Sequence, residues 1–296
     1  MRILITGASG FLGSALARYW AGRGREVGLL LRPASSIRRL TSLRPETALL
    51  SYSNDAELVS AVAAWAPDIV VHTAGVYGRG GESALTLWEA NVRLGLLLLE
   101  CLQTKSAPTL LLNTGSVLAP EVSAYALSKH QFTQWGQLVT TRADSRVRFV
   151  NIRLQHMYGP GDDAAKFVTY VLHACHRHQQ LLELTAGAQQ RDFIHIDDVV
   201  QAYDCMIKNH EKLAGLPDIQ VGSGVAPTVQ HLVQTAHSLL GSRTVLNFGA
   251  LPYRDTEPMH CQADISVLQS MGWTPQYTVE QGLQSTIEKE FGTCDC

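Results

Sequence analysis

The stretch that decides the fold lies near the N-terminus and reads Ile3-Leu4-Ile5-Thr6-Gly7-Ala8-Ser9-Gly10-Phe11-Leu12-Gly13. A short apolar run comes first, glycines follow at every third position, and residues 14–20 continue in a helical pattern. A strand, a glycine turn and a helix in this order predict a dinucleotide site, because the turn brings the backbone and the free N–H groups of the helix N-terminus close to phosphate. The residues expected to form this site are Gly7, Ser9, Gly10, Phe11, Leu12 and Gly13.

The first half of the chain alternates short apolar runs with longer helical patterns. The runs cover residues 3–6, 27–31, 69–73, 110–114 and 147–152. They are apolar on both faces, as the buried strands of a parallel sheet are. The rhythm predicts an α/β fold with a Rossmann-type, doubly wound parallel sheet over residues 1–157. Beyond about Tyr158, glycine and proline turns break the rhythm. We therefore expect residues 158–296 to form mainly a smaller C-terminal substrate-binding lobe, which can return elements to the main sheet.

The composition is that of a globular chain with a large core. Of its 296 residues, 46% are hydrophobic and 17% are charged, and the net charge is −2. Near-neutral charge gives no electrostatic basis for a nucleic-acid or membrane partner, and no signal peptide precedes the first strand, so we expect a cytoplasmic protein. Six scattered cysteines are expected to be free thiols. Neither the cluster around Cys175 and His176 nor the pair Cys294 and Cys296 is interpreted as a metal site.

A second pattern carries the predicted chemistry. Tyr125 and Lys129 are four residues apart at the start of a helical segment, which places a phenol and an ammonium on the same helix face. A cation near a phenol stabilises the phenolate and moves the phenol pKa towards the working range of a general acid. Thr114, at the end of a predicted strand, can bind the substrate oxygen. The interpretation is a nicotinamide-dependent oxidoreductase in which Lys129 also holds the cofactor ribose.

The predicted second strand ends at Arg32, where NAD-preferring enzymes usually carry a carboxylate. Arg32, with Ser35 or Arg38, offers donors suited to a 2′-phosphate, so NADP(H) is favoured and NAD(H) is the alternative. If these arginines form only a solvated helix face, the sequence gives no preference. The residues at the end of the third predicted strand, which are expected to line the cofactor on its adenine and ribose side, are Thr73, Ala74 and Gly75.

These motifs, with Asn91, residues 153–160, 190–199 and 263–273, resemble extended short-chain dehydrogenases/reductases of the nucleotide-sugar epimerase, dehydratase and reductase group over nearly the whole chain. The resemblance implies a nucleotide-sugar substrate and a homodimer. It implies that Arg191 and Arg254 contact the nucleotide diphosphate and that His156 touches the sugar-phosphate region, with Lys166 as a weaker candidate. Asp197 and Asp198 are interpreted as residues that cap or brace the second lobe.

Departures from the wider group indicate the reaction. Thr114 is followed by Gly115 and Ser116, where dehydratases and decarboxylases of this group carry carboxylates. The sequences of residues 113–116, 124–132 and 156–167 most resemble those of 4-ketoreductases of the CDP-abequose synthase type. The resemblance implies NADPH-dependent reduction of the C4 ketone of a nucleotide-linked 4-keto-6-deoxyhexose. A 4-epimerase with tightly bound NAD is the main alternative. Reduction of a non-sugar ketone and a non-catalytic cofactor-sensing regulator are minor ones.

Overall fold

The computed structural model describes residues 1–254 and 257–292. Contacts along the chain divide it into two compact units. The first comprises Met1–Arg153 and Met206–Ile219, and the second comprises Leu154–Cys205 and the chain from Gln220 onward.

The strands, in chain order, are β1 (Arg2–Thr6), β2 (Glu26–Leu31), β3 (Ala48–Ser51), β4 (Ile69–His72), β5 (Thr109–Thr114), β6 (Val147–Leu154), β7 (His156–Tyr158), β8 (Leu181–Leu184), β9 (Gln190–Arg191), β10 (Phe193–His195), β11 (Asp218–Val221), β12 (Val245–Phe248) and β13 (His260–Cys261). Seven of them form the parallel central sheet in the order β11-β6-β5-β4-β1-β2-β3. This is the predicted Rossmann-type sheet. The sequence patterns anticipated five of its strands and missed β3 and β11.

The α-helices are α1 (Phe11–Gly22), α2 (Asp55–Trp65), α3 (Ala84–Trp88), α4 (Leu94–Gln103), α5 (Ala124–Thr140), α6 (Phe167–His176), α7 (Ile196–Lys208), α8 (Val229–Leu239), α9 (Ser266–Ser270) and α10 (Val279–Phe291). Helix α5 begins at Ala124 because the Ser123 hydroxyl accepts a hydrogen bond from the Ala126 N–H at 3.1 Å. This cap places Tyr125 and Lys129 in the first two turns. No helix among the described residues is both long and apolar enough to cross a membrane.

The core of the first unit brings the helices close to the sheet. Phe132 of α5 is fully buried, and its ring lies 5.7 Å from that of Phe149 on β6. Both rings press against glycines. A Cβ on Gly95 of α4 would lie 2.2 Å from the Phe132 ring, and one on Gly136 would lie 2.2 Å from the Phe149 ring. The site-bearing helix α5 is therefore fixed by close packing.

Two buried carboxylates hold separate backbone segments of the second unit together. The Asp192 carboxylate accepts hydrogen bonds from the N–H groups of Ser223 at 2.6 Å, Gly224 at 3.0 Å and Ala263 at 3.1 Å. Asp198 accepts from the N–H groups of residues 276 and 277 at 2.9 and 3.1 Å. These contacts give Asp198 the bracing role expected of it, because buried backbone donors need partners.

The cysteines of the described chain are free thiols. Cys101 and Cys175 are buried, and Cys205 and Cys261 are half-buried. The remaining two, Cys294 and Cys296, lie outside the described residues.

Candidate functional site

A cavity of about 520 Å³ opens in the first unit beyond the carboxyl ends of β1, β2 and β4. Ligands of open parallel sheets bind at these strand ends. Eight of the residues expected to hold the cofactor line it: Gly7, Ser9, Gly10, Arg32, Ser35, Thr73, Ala74 and Gly75.

Close backbone packing in the glycine turn leaves no space for a Cβ atom at two of its glycines. Gly7 has a φ of +66°, and a Cβ there would lie 2.5 Å from the Ala74 nitrogen. A Cβ on Gly13 would lie 2.3 Å from the Gly7 oxygen, so this glycine lets α1 pack against the turn. Phe11, Leu12 and Gly13 form the first turn of α1 and are not among the lining residues, and Leu12 is buried. The turn thus presents backbone to the cavity.

Near the ends of β2 and β3, the cavity is lined by the Arg32 cation and by residues that the sequence patterns missed. The Arg32 N–H donates to the Ser35 hydroxyl at 3.1 Å, and the Arg32 side chain is exposed. Residues 52–55, which follow β3, line the same cavity. Asp55 among them forms an ion pair with Arg93 at 2.5 Å. The carboxylate that is absent after β2 is therefore matched by one after β3, which is already neutralised by an arginine.

Lys129 is a buried cation beside this cavity. Its side chain lies close to Gly75, since a Cβ on that glycine would be 3.9 Å from Nζ. Burial lowers the pKa of Lys129 to about 8. No group in the described chain hydrogen-bonds this ammonium. A buried ammonium without a partner is costly, so the site is built to receive hydrogen-bond acceptors at this point.

Tyr125 is placed on the same helix but in a different electrostatic setting. Burial raises its pKa, and so does a side-chain hydrogen bond with Tyr77, while Arg79 acts in the opposite direction. The Tyr77 and Tyr125 rings lie 4.8 Å apart. The expected lowering of the Tyr125 pKa by Lys129 is therefore not found here, because burial and Tyr77 raise this pKa and outweigh the positive charge of Arg79. Tyr77 and Arg79 carried no recognisable sequence signal beyond a nearby glycine cluster.

The side chain of Asn91 links the loop after β4 to helix α5. Its fully buried amide accepts from the Val76 N–H at 2.7 Å and donates to the Val76 carbonyl at 2.9 Å. It also donates to the Ser128 hydroxyl on α5 at 2.9 Å. Asn91 lies in a π-helical turn, Glu89–Arg93, a distortion often found at functional sites. The loop that carries Tyr77 is thus fixed to the helix that carries Tyr125 and Lys129.

Thr114 is half-buried at the end of β5, and the residue after it cannot carry a side chain. A Cβ on Gly115 would lie 2.4 Å from the Asn151 carboxamide oxygen. That oxygen is already engaged by Asn113 at 2.8 Å and by Thr133 at 3.1 Å. Packing therefore excludes a carboxylate directly after Thr114.

In the second unit, the structure brings His156 and Arg191 together. Burial, and to a smaller extent the positive charge of Arg191, lower the pKa of His156 to about 4. The Arg191 guanidinium is buried and forms an ion pair with Glu257, a residue that the sequence patterns missed. Neutral His156 and charged Arg191 form one polar cluster, with Glu257 as the counter-ion.

The other two predicted substrate residues are placed differently. Lys166 forms an ion pair with the buried Asp162 at 2.9 Å. Arg254 is exposed, and its carbonyl accepts from the Glu257 N–H at 3.0 Å. A separate cavity of about 680 Å³ in this unit is lined by residues 223–225, His260, residues 262–266, Gln269 and Pro275, and by none of the predicted substrate residues.

A family model described as the NAD dependent epimerase/dehydratase family matches residues 3–222. The chain belongs to this family. CDP-abequose synthase of Salmonella typhimurium is 30% identical over 97% of both chains. The dTDP-6-deoxy-L-talose 4-dehydrogenase (NAD(P)(+)) of Kitasatospora kifunensis is 25% identical over 96% of this chain and 93% of that one. Among solved structures, Thermus thermophilus UDP-glucose 4-epimerase in complex with NAD superposes with a TM-score of 0.82 at 21% identity and 98% coverage of both chains.

Membership of this family implies a nicotinamide dinucleotide, and the residues present fit one. The glycine turn provides a backbone cradle that a Cβ would fill. The cavity size is within the range of ligand pockets, and the Lys129 ammonium beside Gly75 has unused donors. The glycine turn would hold the pyrophosphate, and Lys129 would hold the ribose hydroxyls on the nicotinamide side.

Proposed function

We propose that this protein catalyses NADPH-dependent reduction of the C4 ketone of a nucleotide-linked 4-keto-6-deoxyhexose. The observation that carries the proposal is the buried Lys129 ammonium, which has no partner in the described chain and lies one helical turn from Tyr125 beside the cofactor cavity. This arrangement supports proton transfer next to a nicotinamide ring.

The cofactor, when bound, supplies the hydride that reduces the ketone carbon. The chain has three tasks around that event. Thr114 hydrogen-bonds the substrate oxygen and orients it. Tyr125 donates its proton to the oxygen as negative charge develops there. Lys129, held at the ribose, stabilises the phenolate that Tyr125 becomes, and so it opposes the effect of burial on the Tyr125 pKa.

Two observations support reduction over elimination. The position after Thr114 is closed to any side chain by Asn151, so the carboxylate that an elimination would use there has no space. The relatives that match over almost the whole chain include CDP-abequose synthase and a deoxysugar 4-dehydrogenase. The exposed Arg32 beside Ser35 supports NADP(H), because a guanidinium pairs well with a 2′-phosphate.

We further propose that the nucleotide diphosphate is bound by Arg191 and Arg254. Arg191 is paired with Glu257, so the substrate would exchange one anionic partner of the guanidinium for another. Neutral His156 would hydrogen-bond the sugar-phosphate region. The ion pair of Lys166 with Asp162 supports a structural role for that lysine.

The test is NADPH oxidation with CDP-, dTDP-, GDP- and UDP-linked 4-keto-6-deoxy sugars. We expect turnover with at least one of them, and we expect Tyr125→Phe to lower kcat by about 10²- to 10⁴-fold, because it removes the proton donor. Tyr170→Phe, which alters an exposed tyrosine on α6, is the matched control and is expected to keep full activity. Full activity of Tyr125→Phe would refute the assignment. Copurified NAD together with sugar interconversion in the absence of added cofactor would indicate a 4-epimerase instead.

A further inference from the structure

Asn151 is a buried side chain that contacts both elements bearing the proposed catalytic groups. It lies on β6 directly beside Asn113 of β5, and only 4% of it is exposed. Its carboxamide oxygen accepts a hydrogen bond from the Asn113 amide at 2.8 Å and one from the Thr133 hydroxyl of α5 at 3.1 Å. One oxygen atom thus joins the end of β5 to helix α5.

Thr114 lies between two residues that contact the Asn151 side chain. The residue before it, Asn113, donates a hydrogen bond, and the residue after it, Gly115, packs so closely that a Cβ has no space beside the Asn151 oxygen. The Gly115 N–H also donates to the Ile152 carbonyl of β6 at 2.8 Å. The backbone on either side of Thr114 is therefore fixed to β6.

On the helix side, the contact with Asn151 falls one turn after Lys129. The single proton of the Thr133 hydroxyl is shared between the Asn151 oxygen and the Lys129 carbonyl, which lies 3.0 Å away. Lys129 and Thr133 are four residues apart, so they lie on the same face of α5. The Asn151 carboxamide therefore sets the distance between this helix face and the end of β5.

The carboxylate of Asp218, on the neighbouring edge strand β11, decides which way the Asn151 carboxamide points. Asp218 accepts a hydrogen bond from Asn151 Nδ2 at 2.7 Å and another from the Gln137 amide of α5 at 3.2 Å. A carboxylate only accepts, so the amide nitrogen of Asn151 faces Asp218 and the oxygen faces Asn113. In the opposite orientation, donor would face donor on one side and acceptor would face acceptor on the other.

We propose that Asn151 is a positioning residue for ketone reduction. Its carboxamide sets the position of Thr114 relative to Tyr125 and Lys129. Asp218 keeps the carboxamide in the orientation that allows this. The inference rests on the proposed function, because it assigns Asn151 a task in that reaction. Asn151 and Asp218 are not among the residues that line the cofactor cavity, so this task concerns the reaction step and not cofactor binding.

The first test moves the carboxylate from Asp218 to Asn151. Asn151→Asp keeps the size of the side chain and the oxygen that faces Asn113, but it places a second carboxylate against Asp218. We expect kcat per NADPH-binding site to fall by about 10- to 100-fold, because a small displacement of a catalytic group has an effect of this size, while the KM for NADPH stays unchanged. Adding Asp218→Asn supplies an amide donor for the new carboxylate and should restore most of the lost kcat.

Counting NADPH-binding sites by fluorescence titration separates this effect from a loss of folded protein, which lowers the number of sites but not the rate at each site. Asn247→Asp, at an exposed asparagine of β12, is the matched control and should keep full activity. An unchanged kcat per site in Asn151→Asp, or a double variant that is no more active than Asn151→Asp, would overturn the proposal.

A second measurement does not depend on turnover. Gly115→Ala should lower the urea midpoint of unfolding more in the wild type than in an Asn151→Ala background, because the shorter side chain leaves space for the added methyl group. Equal shifts in the two backgrounds would contradict the packing of Asn151 on which its role depends. If the wild type reduces none of the four keto sugars but the shifts differ, the proposed substrate fails while the positioning geometry stands.

Discussion

At the scale of single residues, Arg32 decides the proposed choice of cofactor. It follows β2, lines the cofactor cavity and is exposed, and its N–H is bound by Ser35. The carboxylate that the cavity does contain, Asp55, is already paired with Arg93. The local charge at the end of β2 is therefore positive, which suits a 2′-phosphate better than free ribose hydroxyls.

Arg32→Ser should consequently weaken NADPH selectively. Loss of a charge-assisted hydrogen bond costs about 1.5–3 kcal/mol, so the KM for NADPH should rise by about 10- to 150-fold while that for NADH changes little. Arg38 was the other arginine expected near the 2′-phosphate, but it is exposed and is not among the residues that line the cavity, so Arg38→Ser is the matched control. Initial rates over a range of each cofactor measure the effect. An equal rise for both cofactors would show that Arg32 does not bind a 2′-phosphate.

At the scale of elements, the sequence patterns predicted the strands that are buried on both faces and missed the strands with mixed exposure. The patterns for β1, β2, β4, β5 and β6 are runs of buried apolar residues. At the sheet edges, β3 has a half-exposed alternation and β11 is partly exposed and begins with Asp218. Edge strands lack the continuous apolar signal, and β11 belongs to a stretch assigned mainly to the second lobe.

The positions of site residues in strands and helices could also be predicted from the sequence, whereas those in loops could not. Residues placed by a strand end or a helix turn, such as Thr114, Tyr125 and Lys129, were predictable because their spacing fixes their direction. Tyr77 and residues 52–54 lie in loops, where spacing says little about the direction of a side chain. Their placement depends on tertiary hydrogen bonds such as those of Asn91, which leave no periodic pattern in the sequence.

The π-helical turn at Asn91 is the element that joins the loop after β4 to helix α5. Asn91→Ala leaves the N–H and C=O of Val76 without their side-chain partner and removes the contact with Ser128. We expect the free energy of unfolding to fall by roughly 2–4 kcal/mol, as for a buried hydrogen-bond network. Asn54→Ala is the control, since it removes the cap of α2 and an exposed contact with the Glu57 carboxylate and should cost about 1 kcal/mol. Urea unfolding measures both, and equal losses would argue against the joining role.

At the scale of the whole molecule, each unit buries a histidine in its neutral form. Burial lowers the pKa of His72 in the first unit to about 3 and that of His195 in the second to about 4. The Thr6 hydroxyl hydrogen-bonds His72 Nδ1 at 2.7 Å, and the Asp197 N–H donates to His195 Nδ1 at 3.3 Å. Each ring also has a buried Nε2 without a hydrogen-bond partner in the described chain. Protonating either ring would place a charge in the interior.

These depressed pKa values predict how stability depends on pH. An unfolded histidine binds a proton below about pH 6.5, whereas the folded rings do so only near pH 3 to 4. Stability is therefore complete above pH 6.5 and falls as the pH drops towards 4, by about 1.4 kcal/mol per pH unit for each histidine. The raised pKa values of Asp162 and Asp198 act in the opposite direction, so the slope of a histidine variant is a sharper test than the slope of the wild type alone.

His195→Asn supplies that variant, because its carboxamide oxygen can replace Nδ1 as the acceptor for the Asp197 N–H. Denaturant unfolding between pH 7 and 5 should show a shallower loss of stability for His195→Asn than for the wild type, whatever the absolute stability of the variant. His178→Asn, at an exposed histidine of the same unit, should keep the wild-type slope. Because the titrating proton belongs to one ring, the difference between the two slopes should approach about 1.4 kcal/mol per pH unit below pH 6. Parallel slopes for all three proteins would mean that His195 accepts its proton as readily in the folded chain as in the unfolded one.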